Sequence, residues 1–305
     1  MLRGTRLTLA AAGLVVAGAV PAAPVPRFDH VVVVIMERHS PADIFGSANA
    51  PYINGSLIPY GVKFTNSKTP PGMHPGQPNH IALFAGSNLG ITDDNCPQAL
   101  TAPTLAQQLI DAGRSFAHYS EDLPSAGDTS CTSSGSGLYK RMHNPVPDFA
   151  SLPVAMNQPY SQFIADLTNG TLPTVSFIVP NVCNSMYGQT SGTDCVSFFT
   201  NLVLLGDTWL SNNLPALFAA PVARNTLLIL TWDEGSGLIT PSDDIPTIFA
   251  GAHVQRGVTS ATPITHYDVL RTLEDMYGLA PLGNAAGASA ITDVWDDVIF
   301  ADLFE

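Results

Sequence analysis

Hydrophobic positions fall in solid blocks in some segments and at helical spacing in others. Residues 30–36 (His30-Val31-Val32-Val33-Val34-Ile35-Met36) form a continuous β-branched run, the pattern of a parallel strand covered on both faces. Residues 173–179 and 226–232 read the same way, and Pro180 stops the first of them. Shorter apolar runs at 115–119 and 245–250 are further strand candidates. Between the strands, 105–112 has helical spacing and closes at Gly113, and 207–218 directs Trp209 and Leu210 inward. Residues 268–277 form another helix, ended by Gly278. Buried strands alternating with helices predict an α/β fold, a three-layer α/β/α sandwich with a mostly parallel central sheet. No Pro/Ser-rich linker divides the pattern, so residues 24–305 are read as one domain.

The N-terminus has a separate character. Met1 to Arg6 is short and basic, residues 7–20 are apolar and small, and Ala22-Ala23 offers a cleavage site. That order predicts a signal peptide over residues 1–23, the apolar run being too short to span a membrane comfortably. The chain is then expected to be secreted, with no transmembrane segment after cleavage. Twelve Lys and Arg against 25 Asp and Glu give a formal charge of −13, and no basic cluster offsets it locally. A nucleic-acid partner is excluded on that ground. Cys96, Cys131, Cys183 and Cys195 are an even set in an exported chain, so disulfides are expected. Three pairings are available; Cys96 with Cys131 and Cys183 with Cys195 is favoured, because each pair lies in polar, loop-like sequence. None has the C-x-x-C spacing of a structural zinc site.

In open α/β sheets, reactive groups collect beyond the carboxyl ends of the strands. The first strand runs into Glu37-Arg38-His39-Ser40, and the strand at 226–232 into Asp233-Glu234. The strand at 173–179 is followed by Pro180-Asn181, and His266 lies in the loop before the last helix. Carboxylates and imidazoles from distant segments thus converge on one end of the sheet, which predicts a site for a divalent cation.

The order of motifs resembles the secreted acid phosphatase and phospholipase C type of phosphoesterases, within the alkaline-phosphatase-like superfamily. The matching segments are the strand ending in Glu37, His74-Pro75 with Pro78-Asn79-His80, and Leu83-Phe84-Ala85-Gly86. They continue with Tyr119-Ser120-Glu121-Asp122, His143-Asn144-Pro145, Pro180-Asn181, Gly206-Asp207-Thr208-Trp209, Thr231-Trp232-Asp233-Glu234 and Thr265-His266-Tyr267. The short bacterial acid phosphatase branch, some members of which act on phosphoinositides, is the most similar. The resemblance implies a small phosphorylated substrate or a phospholipid headgroup, and a divalent metal ion as cofactor. It implies Glu37, Asp233 and Glu234 as metal ligands, and Asn79, His74 and Asn181 as substrate-binding residues. His143 and His266 fall on family histidines that act as acid, base or phosphate contact. The ion remains open, since oxygen ligands suit Ca²⁺, Mg²⁺ or Mn²⁺ and nearby imidazole admits Zn²⁺ or Fe.

Three positions depart from the family pattern. Arg38 stands where a metal-binding Asn is expected, and a guanidinium has only donors to offer. Gly76 occupies the position of the serine nucleophile, leaving a gap about the size of a hydroxymethyl group. Met186-Tyr187-Gly188 replaces a His-Asp pair. Two readings follow. One is an active phosphoesterase in which Arg38 clamps phosphate and a water, His39, His74 or His80 attacks. The other is a protein that binds phosphorylated ligands without turning them over.

Overall fold

The computed structural model describes residues 25–188, 195, 201–237 and 241–296; the leader predicted over residues 1–23 lies outside them. Ten strands form in chain order: β1 His30–Met36, β2 Gly61–Phe64, β3 Ser67–Lys68, β4 Phe116–Ser120, β5 Asn157–Pro159, β6 Val175–Val179, β7 Thr226–Trp232, β8 Thr247–Gly251, β9 Val258–Ser260 and β10 Ile264–Thr265. The helices are α1 Pro41–Ile44, α2 Ile58–Tyr60, α3 Gly76–Ala85, α4 Leu105–Asp111, α5 Tyr160–Asn169, α6 Leu202–Ala219 and α7 His266–Tyr277.

The main sheet has the order β5-β4-β6-β1-β7-β8-β2-β9. Strands β5, β4, β6, β1 and β7 are mutually parallel, as the apolar runs predict. The strand expected at 245–250 is β8, and it runs antiparallel to both β7 and β2. All seven residues of β7 are buried, because helices cover both faces of the sheet. On one face Val31, Val33 and Ile35 pack with Ile81, Leu105, Leu270 and Leu273 from α3, α4 and α7. On the other, Val32, Val34 and Met36 pack with Phe163, Leu210 and Leu214 from α5 and α6. These are the three layers.

Two helices differ from the sequence expectation. α6 starts five residues before Asp207, where Asn201 caps it by accepting from the Leu204 amide at 3.0 Å. Asp207 is buried mid-helix, accepting from the Tyr52 and Ile53 amides at 2.9 and 2.8 Å. α7 starts at His266, which is therefore helical rather than in the preceding loop. Thr265 and Asp268 form its capping box, and Gly278 at φ 67° closes it. The disulfides pair Cys96 with Cys131 and Cys183 with Cys195, as expected, with Cα separations of 5.8 and 5.4 Å. No helix among the described residues is long and apolar enough to cross a membrane.

Candidate active site

Strands β1 and β7 are neighbours whose register pairs Met36 with Trp232. The next residues, Glu37 and Asp233, therefore leave the sheet side by side, and the Asp233 amide donates to Met36 O at 2.9 Å. Both are fully enclosed, Glu37 at 0% and Asp233 at 1% exposure. After Glu37 the chain turns through Arg38, whose φ of 52° is left-handed. That turn lets the Arg38 amide donate to Asp233 Oδ1 at 3.0 Å, an oxygen that also accepts from the Glu234 amide at 2.6 Å.

Helix α3 brings the second set of groups. Gly76 and His80 lie one turn apart on its first two turns and so share a face. His80 Nε2 is 3.1 Å from Glu37 Oε1 and 4.0 Å from Asp233 Oδ2. His143, from a 3₁₀ turn over Arg141–His143, stacks on His80 with ring centroids 5.3 Å apart. Its Nδ1 is 3.4 Å from the same Glu37 oxygen. Glu37 Oε2, Asp233 Oδ2, His80 Nδ1 and His143 Nε2 are buried with no hydrogen-bond partner.

Gly76 does not leave the expected gap. A Cβ built on it would fall onto Asp233 Oδ2 and approach Glu37 Oε2. The Asp233 carboxylate takes the space a side chain at 76 would occupy. The sequence expectation of an empty hydroxymethyl-sized hole is corrected accordingly.

Arg38 and Glu234 form an outer layer. Arg38 Nε donates to Glu234 Oε1 at 2.8 Å, and its guanidinium carbon lies 4.7 Å above the Tyr187 ring. Tyr187 in turn meets the His143 ring edge-on at 5.2 Å. The other Glu234 oxygen is 2.9 Å from His74 Nδ1, whose Nε2 is 3.1 Å from Asp243 Oδ1.

The remaining predicted residues are placed differently. Asn79 is buried and donates to the Met73 and Pro75 carbonyls at 2.7 and 3.4 Å, fastening the loop that carries His74. Asn181 donates to Asp122 at 2.7 Å, and its amide to Glu121 at 2.9 Å. His266 is buried, with Nε2 2.9 Å from the Trp232 carbonyl, and so ties α7 to the end of β7. Glu37, Arg38, His74, Gly76, His143, Asp233 and Glu234 are thus brought together, while Asn79, Asn181 and His266 are held by neighbouring backbone or side chains. His80, a motif residue and a candidate attacking group in the sequence, instead faces Glu37 and Asp233; its position four residues after Gly76 puts it on the same helix face.

Electrostatics follow burial. Desolvation pushes Glu37 up to about 8, reinforced by the charge of Glu234. Burial and the neighbouring Glu37 and Glu234 raise Asp233 well above the carboxylate range. Burial lowers His80 and His143, keeping both imidazoles neutral, and brings His266 down to about 4. Among the described residues, Glu37, His80 and Asp233 each offer a ligand atom within 4.8 Å of the others. The donor set and its unpartnered oxygens fit a divalent ion.

Comparison with known proteins gives the family. The phosphoesterase family model matches residues 65–280. The chain is 39% identical over 286 residues to the phosphatidylinositol-3-phosphatase of Mycobacterium tuberculosis, covering 92% of this chain and 89% of that protein. It is 30% identical over 235 residues to the phosphate-repressible acid phosphatase of Penicillium chrysogenum, covering 73% of this chain but 54% of the fungal one. Among solved structures, a protein of the alkaline phosphatase superfamily from Vibrio parahaemolyticus aligns at TM-score 0.61 and 12% identity, over 87% of this chain and 71% of that one. The lipoteichoic acid synthase LtaP of Listeria monocytogenes aligns at TM-score 0.61 and 9% identity, over 88% and 76% of the two chains. At such identities the structural matches establish the fold alone.

Proposed function

This chain belongs to the phosphoesterase family, and we propose that it is an exported enzyme hydrolysing phosphate monoesters without a serine nucleophile. The carrying observation is the buried group at the ends of two adjacent strands, where Glu37 Oε2 and Asp233 Oδ2 lack partners and His80 Nε2 and His143 Nδ1 face Glu37 Oε1 at 3.1 and 3.4 Å. An unsatisfied buried polar atom costs about 1–3 kcal/mol. Such an arrangement is kept for chemistry rather than for stability.

Each residue has a task that its position supports. Arg38 is the one cation of the group, with a side chain 35% exposed, and its terminal nitrogens are not engaged by Glu234. They meet an entering phosphate and orient it. Glu37 and Asp233 would face a bound ion as carboxylates, and the departing alkoxide takes its proton from solvent water. Gly76 supplies no hydroxyl, so a water attacks phosphorus directly and phosphate leaves without a covalent enzyme intermediate. Glu37, His80 and Asp233 would hold a divalent ion, which would supply neutralisation of phosphoryl charge. The substrate class is a small phosphomonoester or a phosphoinositide headgroup, in keeping with the mycobacterial relative's activity. Export through the 1–23 leader, as a single domain over 24–305, accords with the two disulfides.

The test is release of phosphate from p-nitrophenyl phosphate and from phosphatidylinositol 3-phosphate by the purified mature chain, between pH 4 and 8, with and without chelator. Steady turnover without a pre-steady-state burst is expected. Glu37→Gln is expected to lower kcat/KM by about 100-fold or more. A second reading, binding without turnover, is favoured by the glycine at 76. Stoichiometric binding of the phosphorylated headgroup with no phosphate released would establish it instead.

A further inference from the structure

Glu234 follows Asp233 in sequence, yet the two carboxylates live in different surroundings. Both Glu234 oxygens are taken, one by Arg38 Nε at 2.8 Å and the other by His74 Nδ1 at 2.9 Å. The guanidinium neutralises it, and its turn toward the rim carries it away from the unpartnered oxygens of Glu37 and Asp233. On the inner side, His80 Nε2 faces those same two carboxylates at 3.1 and 4.0 Å. Ligand atoms about 2.1 Å from one ion stand roughly 3 to 4 Å apart, so these separations are those of a shared coordination sphere.

We propose that the cation site of this chain is Glu37, Asp233 and His80, with His80 taking the part that the motif pattern gives to Glu234, and that it takes a transition-series ion, Zn²⁺ or Mn²⁺, in preference to Ca²⁺ or Mg²⁺. An imidazole nitrogen is a softer donor than carboxylate and suits zinc and its neighbours, whereas calcium requires six or more oxygens. Of the oxygens of Glu37 and Asp233, Asp233 Oδ1 already accepts from the Arg38 and Glu234 amides, so the protein offers fewer oxygens than calcium takes. Glu234 acts instead as the counter-ion that holds Arg38 at the rim.

The proposal deepens the phosphoesterase reading but is measured without turnover, so the two fail separately. Chelator-treated, disulfide-bonded protein is titrated by calorimetry with Zn²⁺, Mn²⁺, Mg²⁺ and Ca²⁺, and bound metal is counted by mass spectrometry. One Zn²⁺ or Mn²⁺ per chain is expected, with Mg²⁺ and Ca²⁺ at least about tenfold weaker. His80→Ala is expected to weaken Zn²⁺ binding at least about 100-fold, and Glu234→Gln, which leaves the Arg38 charge unpaired, by no more than about tenfold. If the His80 variant does not fold, the Cu²⁺-loaded wild type and Glu234→Gln proteins are compared by electron paramagnetic resonance. Coupling to an imidazole nitrogen, unchanged in Glu234→Gln, is expected. Loss of metal in Glu234→Gln, absence of nitrogen coupling, or a preference for Ca²⁺ would each overturn the assignment.

Discussion

Arg38 and Glu234 form an ion pair, Nε to Oε1 at 2.8 Å, across the carboxyl ends of neighbouring strands β1 and β7. The pair is asymmetric: the carboxylate is enclosed at 1% exposure while the arginine reaches the surface at 35%. A fixed positive charge thus stands beside a group of buried acids.

Arg38→Asn removes that charge and is expected to tighten divalent-ion binding about tenfold, roughly 1.4 kcal/mol, because a like charge no longer faces the ion. It also leaves Glu234 enclosed without its cation. Urea unfolding should then show a loss of about 1–2 kcal/mol, kept modest by the arginine's exposure. Calorimetry reads the first effect; equal ion affinity in both proteins would mean the guanidinium does not act on the ion.

Gly76→Ser alone forces the new Cβ onto Asp233 Oδ2. The carboxylate must give way from the amides of Arg38 and Glu234, at a cost of about 1–3 kcal/mol by chemical denaturation. The double variant Arg38→Asn, Gly76→Ser loses the phosphate clamp and displaces Asp233 together. Its kcat/KM for p-nitrophenyl phosphate is expected to fall at least about tenfold below wild type. A double variant faster than wild type would show that Gly76 and Arg38 are losses from the site rather than working parts of it.

Removing the Cys96–Cys131 bond frees two positions 35 residues apart. Chain-entropy arguments give a loss of about 4 kcal/mol for a Cys→Ser pair there. The Cys183–Cys195 bond closes a separation of 12 residues, so its removal should cost less, about 3 kcal/mol. Non-reducing peptide mapping should recover these two linkages and no other, and a Cys96–Cys183 peptide would contradict both.

Glu274 on α7 is buried, with Oε1 accepting from the Leu282 amide at 2.7 Å and Oε2 unpartnered. Burial raises it from 4.5 to about 7. In that window the folded protein binds more protons than the unfolded chain, so this contribution is complete at acid pH and is lost as pH rises through about 7. Compared with Glu274→Gln, the wild type should lose on the order of 2 kcal/mol between pH 4.5 and 7.5. A constant difference between the two stability curves would place the carboxyl in contact with water.

How much of this was legible in the chain differs from residue to residue. The runs at 30–36 and 226–232 announced central parallel strands, because only a strand covered on both faces is apolar at every position. The rule that reactive groups follow such strands singled out Glu37, Asp233 and Glu234, and the cysteine pairing followed from local polarity. The direction of β8 was not legible, since a short apolar run carries no sign of its partner's orientation.

The sequence by itself determined which residues stand at the ends of strands and therefore near one another. Only the tertiary structure decided what each does there. Asp233 and Glu234 are adjacent in the chain, yet one turns inward to His80 and Glu37 and the other outward to Arg38 and His74. Gly76 reads as an absence in the sequence, and in the fold Asp233 stands in that space. Hydrophobic period is a local property, set by which face of an element meets the core. The partners of a buried charge come from segments up to 196 residues apart, and are settled only when close packing selects which polar atoms can meet.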